Sequence, residues 1–135
     1  MVLELAATLE DLVIISGLAY GIDVIAHRAA LDAGIPTLAV LGHGFGTIYP
    51  HAHRETAKRI LGQGALLTDF HSGMGPERNN FLRRNRIIAG LADATLVVES
   101  ASEGGALITA GLAFSYDRSV LAVPGRVSDA RSKGC

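Results

Sequence analysis

Five short, nearly continuous runs of apolar and β-branched residues, at 12–15, 37–41, 65–68, 95–99 and 119–123, punctuate this chain. Runs of that length, apolar on both alternating faces, suit strands of a parallel sheet covered from both sides. Between them the apolar positions recur at helical intervals, which predicts helices at about 24–33, 54–62, 80–91 and 106–116. Asp23 is the expected N-cap of the first, and Gly34-Ile35-Pro36 marks its end. Strand and helix alternate throughout, so the expected architecture is α/β with a doubly wound, mostly parallel sheet. There are no internal repeats, linkers or low-complexity segments, and 135 residues suffice for one domain with one core.

In such sheets ligands bind beyond the carboxyl ends of the strands. Here the first strand runs into Ser16-Gly17-Leu18-Ala19-Tyr20-Gly21 and the second into Gly42-His43-Gly44-Phe45-Gly46. The fourth is followed by Ser100-Ala101-Ser102-Glu103-Gly104-Gly105 and the fifth by Pro124-Gly125-Arg126. Glycine lets backbone N–H groups approach a ligand closely, and a helix that opens at such a loop favours an anion. Glycines also serve ordinary strand-to-helix turns. Four of five strand ends carrying them favours a phosphate or nucleotide site, with Ser16, Ser102 and Thr109 as further donors. No G-x-x-x-x-G-K-[ST] is present and no full G-x-G-x-x-G, so neither ATP nor NAD is expected as a cofactor.

The net charge of −1 gives no global signal for nucleic acid, but Arg78, Arg83, Arg84 and Arg86 fall within nine residues. At 100° per residue they cannot all share one face. Arginine at a strand-end cleft suits bidentate phosphate contact, and a solvated face with ion pairs is the competing reading. His43, His51 and His53 lack a cysteine or well-spaced acid to complete a metal set, so no metal is expected. His27, four residues after Asp23, reads as a packing or hydrogen-bonding residue. Ser16, Asp23 and His27 lack a nucleophile elbow, which excludes a hydrolase triad. The single cysteine, Cys135, fits a reducing cytosol, and neither a secretory pattern nor a membrane-length apolar run occurs, so a cytoplasmic location without membrane contact is expected.

Taken in order, these segments resemble the DprA/Smf DNA-processing family. Ser16-Gly17-Leu18-Ala19-Tyr20-Gly21-Ile22-Asp23 followed by Ala26-His27 and Ala30-Leu31 is similar to SGxAxGID…AH…AL. Residues 37–44 with Tyr49-Pro50 resemble TxAVLGxG…YP, and residues 81–91 resemble FxxRNRIIAGL. Val98-Glu99 with residues 105–110 resembles VxE…GSLxTA, and Val123-Pro124-Gly125 resembles AVPG. The resemblance implies a Rossmann-like domain that binds and protects single-stranded DNA without sequence preference. It also implies a homodimer that helps load a RecA-type recombinase during natural transformation. Carried over by position, the DNA-phosphate surface would comprise Ser16, Gly17, Ala19, Gly21, Gly42, Gly44, Arg84, Arg86, Gly104, Gly105 and Thr109, with Asn85 ordering the loop. Phe45, Tyr49 and Phe81 are the candidates for stacking on bases.

The sequence also departs from the family pattern. His53 stands where asparagine is usual, Thr68-Asp69 replaces a serine–glutamate pair, and Glu103 replaces a serine beside Gly104. The family's preceding strand and its glycine–serine–arginine turn have no counterpart, so the chain is expected to be a part of the domain truncated at both ends. The alternative from another class is a nucleotide-processing phosphoribohydrolase of the lysine decarboxylase-like (LOG) family, whose PGGxGTxxE motif ends in a glutamate of the catalytic site. Gly111 stands at that position here. A non-enzymatic DNA binder is the favoured reading.

Overall fold

The computed structural model describes Glu4, residues 11–126 and residues 128–135. The helical pattern over residues 3–9 lies, Glu4 apart, outside the described residues. The chain divides into two compact units, Met1–Arg84 and Asn85–Cys135.

In the first unit, β1 (Ile14–Ser16), β2 (Thr37–Val40) and β3 (Ala65–Leu67) form a parallel sheet in the order β1-β2-β3. Ile15 pairs with Leu38, and Ala39 with Leu66. Helix α1 (Ile22–Asp32) crosses from β1 to β2; a 3₁₀ turn (His51–His53) and α2 (Arg54–Leu61) cross from β2 to β3. The first half of α3 (Arg78–Leu91) completes the unit. Its core gathers Leu18, Leu31, Ala39, Leu41, Ala57 and Ile60, so loop, helix and strand all contribute. Burying each leucine or isoleucine there stabilises by about 1.5–3 kcal/mol.

The end of α1 follows the sequence expectation. Gly34 takes φ +72°, its N–H donates to the Leu31 carbonyl, and the Ile35 N–H donates to the Ala30 carbonyl at 2.9 Å. That double closure is a Schellman motif, which requires the left-handed residue that glycine supplies. The start of α1 differs from expectation. Gly21, at φ +86°, occupies the cap position, and Asp23 lies inside the first turn with its carboxylate turned back on the preceding loop.

In the second unit, β4 (Ala94–Val97) and β5 (Ser119–Ala122) pair in parallel, Thr95 with Val120 and Val97 with Ala122. Helix α4 (Gly105–Ser115) makes the crossover and packs on both strands. Asp117 at φ +54° turns the chain back into β5. Every strand pair described is parallel, as expected of an α/β chain. Among the described residues no helix is long and apolar enough to cross a membrane.

Candidate nucleic-acid interface

The loop after β1 is fixed by side chains from three elements. Asp23 Oδ2 accepts from the Gly17 N–H at 3.1 Å and the Ala19 N–H at 3.2 Å. Arg84 Nη1 donates to the Gly17 carbonyl at 2.8 Å and also to the Val40 carbonyl. His53 Nδ1 meets the Leu18 carbonyl at 2.7 Å; since a carbonyl only accepts, Nδ1 carries the proton. Leu18 itself adopts φ +60°, uncommon for a branched side chain, and is fully buried in the core. The loop is therefore held from below at successive backbone groups and plugged by its own leucine.

This arrangement gives several of the expected residues internal partners. The Gly17 and Ala19 amides, expected to face phosphate, are taken by the Asp23 carboxylate. Arg84, expected as a phosphate ligand, is 4% exposed and directed at two backbone carbonyls. Burial holds its guanidinium below the usual arginine range, and the charge of Asp23 opposes that shift. Gly17 is glycine because a Cβ there would overlap the Arg84 guanidinium. The arginine run splits as helical geometry requires: Arg83 lies over the Phe70 ring at 5.4 Å, Arg84 points inward, and Arg78 and Arg86 are exposed.

The loop after β2 is shaped by close packing. A Cβ on Gly42 would press into the Phe81 ring, and one on Gly44 would overlap the His71–Ser72 backbone. The Gly44 N–H donates to the Met74 carbonyl and the Gly46 N–H to the Ser72 carbonyl, both at 2.8 Å, so these amides are also committed. His43, fully buried, bonds the Gly44 carbonyl through Nδ1 and accepts the Tyr49 N–H at Nε2. It is a loop brace. Among the described residues no group of three or more histidine, cysteine, aspartate or glutamate side chains could hold an ion.

What these loops present outward is aromatic. The Tyr49 and Phe81 rings stand 5.7 Å apart at 40°, with Tyr49 exposed and Phe81 half-buried over Gly42. Phe45 is exposed in the same β2–α2 connection and borders a recess of about 510 Å³ along α2, with Arg54 and Lys58 beside its apolar floor. Tyr20, absent from the stacking candidates read from sequence, is 67% exposed with its ring 4.8 Å from that of His53. The signal that could have found it is an aromatic residue inside the glycine-bearing loop after β1. Ser16 and Gly21 sit at the ends of this same loop, at the carboxyl end of β1 and the start of α1.

Beneath the loop, His27 is fully buried and links α1 to the sheet. The Thr37 hydroxyl donates to the Ile14 carbonyl at 2.8 Å, so at the 2.7 Å contact with His27 Nδ1 the imidazole must be the donor. Its Nε2 has no partner among the described residues. Burial lowers the His27 pKa to about 4; Asp23 opposes that shift, and the positive charge of Arg84 adds to it. The imidazole stays neutral, a packing residue as its position in the sequence suggested.

In the second unit, Gly104 is the cap residue of α4 and Gly105 its first residue. A Cβ on Gly104 would press on the Ser100 hydroxyl. Thr109 Oγ1 donates back to the Gly105 carbonyl at 3.2 Å, a bond within the helix rather than toward its mouth. Glu103 is exposed beside them, and the Gly134 N–H donates to the Ser100 carbonyl at 2.9 Å. The expected positions thus group as Ser16, Gly17, Ala19, Gly21, Gly42, Gly44 and Arg84 in the first unit. Arg86, Gly104, Gly105 and Thr109 belong to the second.

Parallel strands joined by helical crossovers, with glycine-shaped loops at their carboxyl ends, define a Rossmann-like α/β protein. The chain belongs to the family described as DNA recombination-mediator protein A, which matches residues 2–135. It is 46% identical to the putative DNA processing protein DprA of Mycobacterium tuberculosis over 98% of its own length and 34% of that protein. The X-ray structure of DprA from Streptococcus pneumoniae superposes with a TM-score of 0.84 at 41% identity, covering 92% of this chain and 44% of that one. A Helicobacter pylori DprA structure, described as giving insight into that protein's single-stranded DNA binding mode, superposes at 0.85 with 27% identity. It covers 97% of this chain and 59% of that one. The chain spans between a third and a half of the length of most curated relatives it matches.

Proposed function

We propose that this chain binds single-stranded DNA without sequence preference, in support of strand handover to a RecA-type recombinase. The observation that carries the reading is the Tyr49–Phe81 ring pair, seated on Gly42 at the carboxyl end of β2 and partly open to solvent. An aromatic platform takes any base, because every base has a π-face, and a base is available for stacking only when it is not already stacked in a duplex. The DNA binding of the H. pylori relative, and membership in a recombination-mediator family, support the same reading.

The committed loop amides shift the expected balance of contacts. With Gly17, Ala19, Gly44 and Gly46 N–H groups bonded internally, stacking contributes more and the amide cradle less. Phosphates then fall to exposed cations such as Arg78, Arg86 and Arg54. No enzymatic step is assigned. Gly111, on α4, stands where the phosphoribohydrolase motif has its glutamate. Assembly as a homodimer, and contact with the recombinase, belong to the proposal for the full-length protein.

The test is anisotropy of a labelled oligothymidylate and a duplex of equal length, titrated with the chain at several salt concentrations. A single-strand preference is expected, with Phe81→Ala weakening it and Arg86→Ala lowering the salt slope by roughly 0.7. Equal affinity for duplex, or parent affinity in Phe81→Ala, overturns the reading.

A further inference from the structure

Tyr20 lies at the outer surface of a loop in which the Gly17 and Ala19 N–H groups and the Gly17 and Leu18 carbonyls are all hydrogen-bonded. We propose that Tyr20 is a further base-stacking residue, held ready by His53; the proposal rests on the single-strand reading above.

A large aromatic ring that is 67% exposed gives little to the core, so packing does not explain its place. Nor is it a loosely hung surface side chain. Its ring meets that of His53 edge to face, with centroids 4.8 Å apart and planes at 69°, a favoured aromatic geometry. His53 is 4% exposed and is itself fixed by its Nδ1–H bond to the Leu18 carbonyl. Leu18, two residues before Tyr20, is wedged among Leu31, Leu41 and Ile60. On one side of Tyr20 the Ala19 N–H is bonded to Asp23; on the other, Gly21 at φ +86° starts α1.

The backbone under Tyr20 is therefore set, and one side of its ring is buttressed while the remainder faces solvent. A ring ordered before the ligand arrives loses little freedom when a base stacks on it, which raises affinity without adding contact area. The Tyr49–Phe81 pair follows the same design: an exposed ring propped on a neighbour at the carboxyl end of a strand. Strands β1 and β2 are adjacent in the sheet, so both aromatic positions stand at one edge of the same unit.

The experiment titrates oligothymidylate into the chain while following oligonucleotide anisotropy and intrinsic tyrosine emission, which comes from Tyr20, Tyr49 and Tyr116 alone since tryptophan is absent. Tyr20→Ala is expected to weaken binding at least about five-fold, with Tyr20→Phe recovering most of the loss. In Tyr20→Phe the fraction of tyrosine emission quenched by DNA falls, because one stacked fluorophore is gone. His53→Ala weakens binding as well, and His53→Asn, which keeps a donor for the Leu18 carbonyl but has no ring, stays weak. Thermal midpoints of the Tyr20 variants should match the parent. Parent-like affinity and quenching in Tyr20→Ala, with Phe81→Ala still impaired, overturn this proposal alone. Full recovery in His53→Asn overturns the buttress. Absence of single-strand binding by the parent overturns the proposal together with the reading it rests on.

Discussion

Arg84 reaches back across 67 residues of sequence to donate to the carbonyl of Gly17, and the same nitrogen also serves Val40. One guanidinium thus joins α3 to the carboxyl ends of two neighbouring strands. Gly17 has no side chain because the guanidinium occupies the place a Cβ would take. An arginine expected from sequence on the DNA-phosphate surface supports the loop after β1 in this fold.

That relationship predicts a stability phenotype. Arg84→Ala leaves two carbonyls without their donor in a buried setting and should cost about 3 kcal/mol, read as a lower urea midpoint. Arg84→Lys should recover only part of it, since a compact ammonium on a different stem does not reproduce the planar guanidinium that lies over the Phe81 ring. Gly17→Ala, which drives a methyl into the guanidinium, should cost about 1–3 kcal/mol. Parent-like stability in Arg84→Ala, combined with lost DNA affinity, would instead make Arg84 a direct ligand.

A second prediction concerns the aromatic platform. A Cβ on Gly42 would meet the Phe81 ring, whose atoms have no flexible tip with which to give way. Gly42→Ala should therefore tilt Phe81 away from Tyr49, at a cost in stability of about 1–3 kcal/mol. Single-strand affinity should fall with it, while Gly75→Ala, at a glycine with nothing in reach of an added Cβ, should leave affinity unchanged. Equal effects of the two substitutions would show that Gly42 has no particular bond to the platform.

Much of this was legible in the residues. Apolar runs located all five strands to within a few positions, because short β-branched and apolar runs bounded by glycine-bearing turns leave an uninterrupted signal. Gly34-Ile35-Pro36 announced a helix end that the Schellman closure realises. The loop interior was less legible. Motif spacing marked Gly17, Ala19 and Asp23 together, but not that the carboxylate would bond the amides. A phosphate and an aspartate ask the same thing of a backbone N–H, so the pattern alone does not distinguish them. Arg84 and Arg86 look alike in sequence, and only the helical phase of α3 turns one inward and the other to solvent. Helix α4 is a third case: it is apolar on every side, which reads as full burial, yet Phe114 is 78% exposed.

Glu103 offers a test of the loop after β4. It is exposed and immediately precedes Gly104, the cap of α4. If phosphate passes Gly104, Gly105 and Thr109, a carboxylate there repels it. Two unit charges about 8 Å apart in water repel by roughly 0.5 kcal/mol, so Glu103→Gln should tighten single-strand binding about two-fold at low salt. Screening should erase the gain near 1 M salt, where the Debye length is about 3 Å. An affinity indifferent to this substitution at low salt would remove these three residues from the proposed surface.

The buried His27 makes stability depend on pH in a defined direction. Its pKa lies near 4 in the folded chain and near 6.5 when exposed, burial being the main cause. Between those values the unfolded chain holds a proton that the folded chain lacks, so stability rises with pH across the window. The contribution is complete above about pH 6.5 and is lost as pH falls toward about 4, amounting to about 3 kcal/mol in all. His27→Gln retains an amide donor for the Thr37 hydroxyl and does not titrate. Urea unfolding at a series of pH values should therefore show a shallower slope between pH 4.5 and 6.5 for the variant than for the parent. Identical slopes would mean that His27 keeps its proton in the fold. The neutral state that burial imposes on His27 would then be the wrong protonation state.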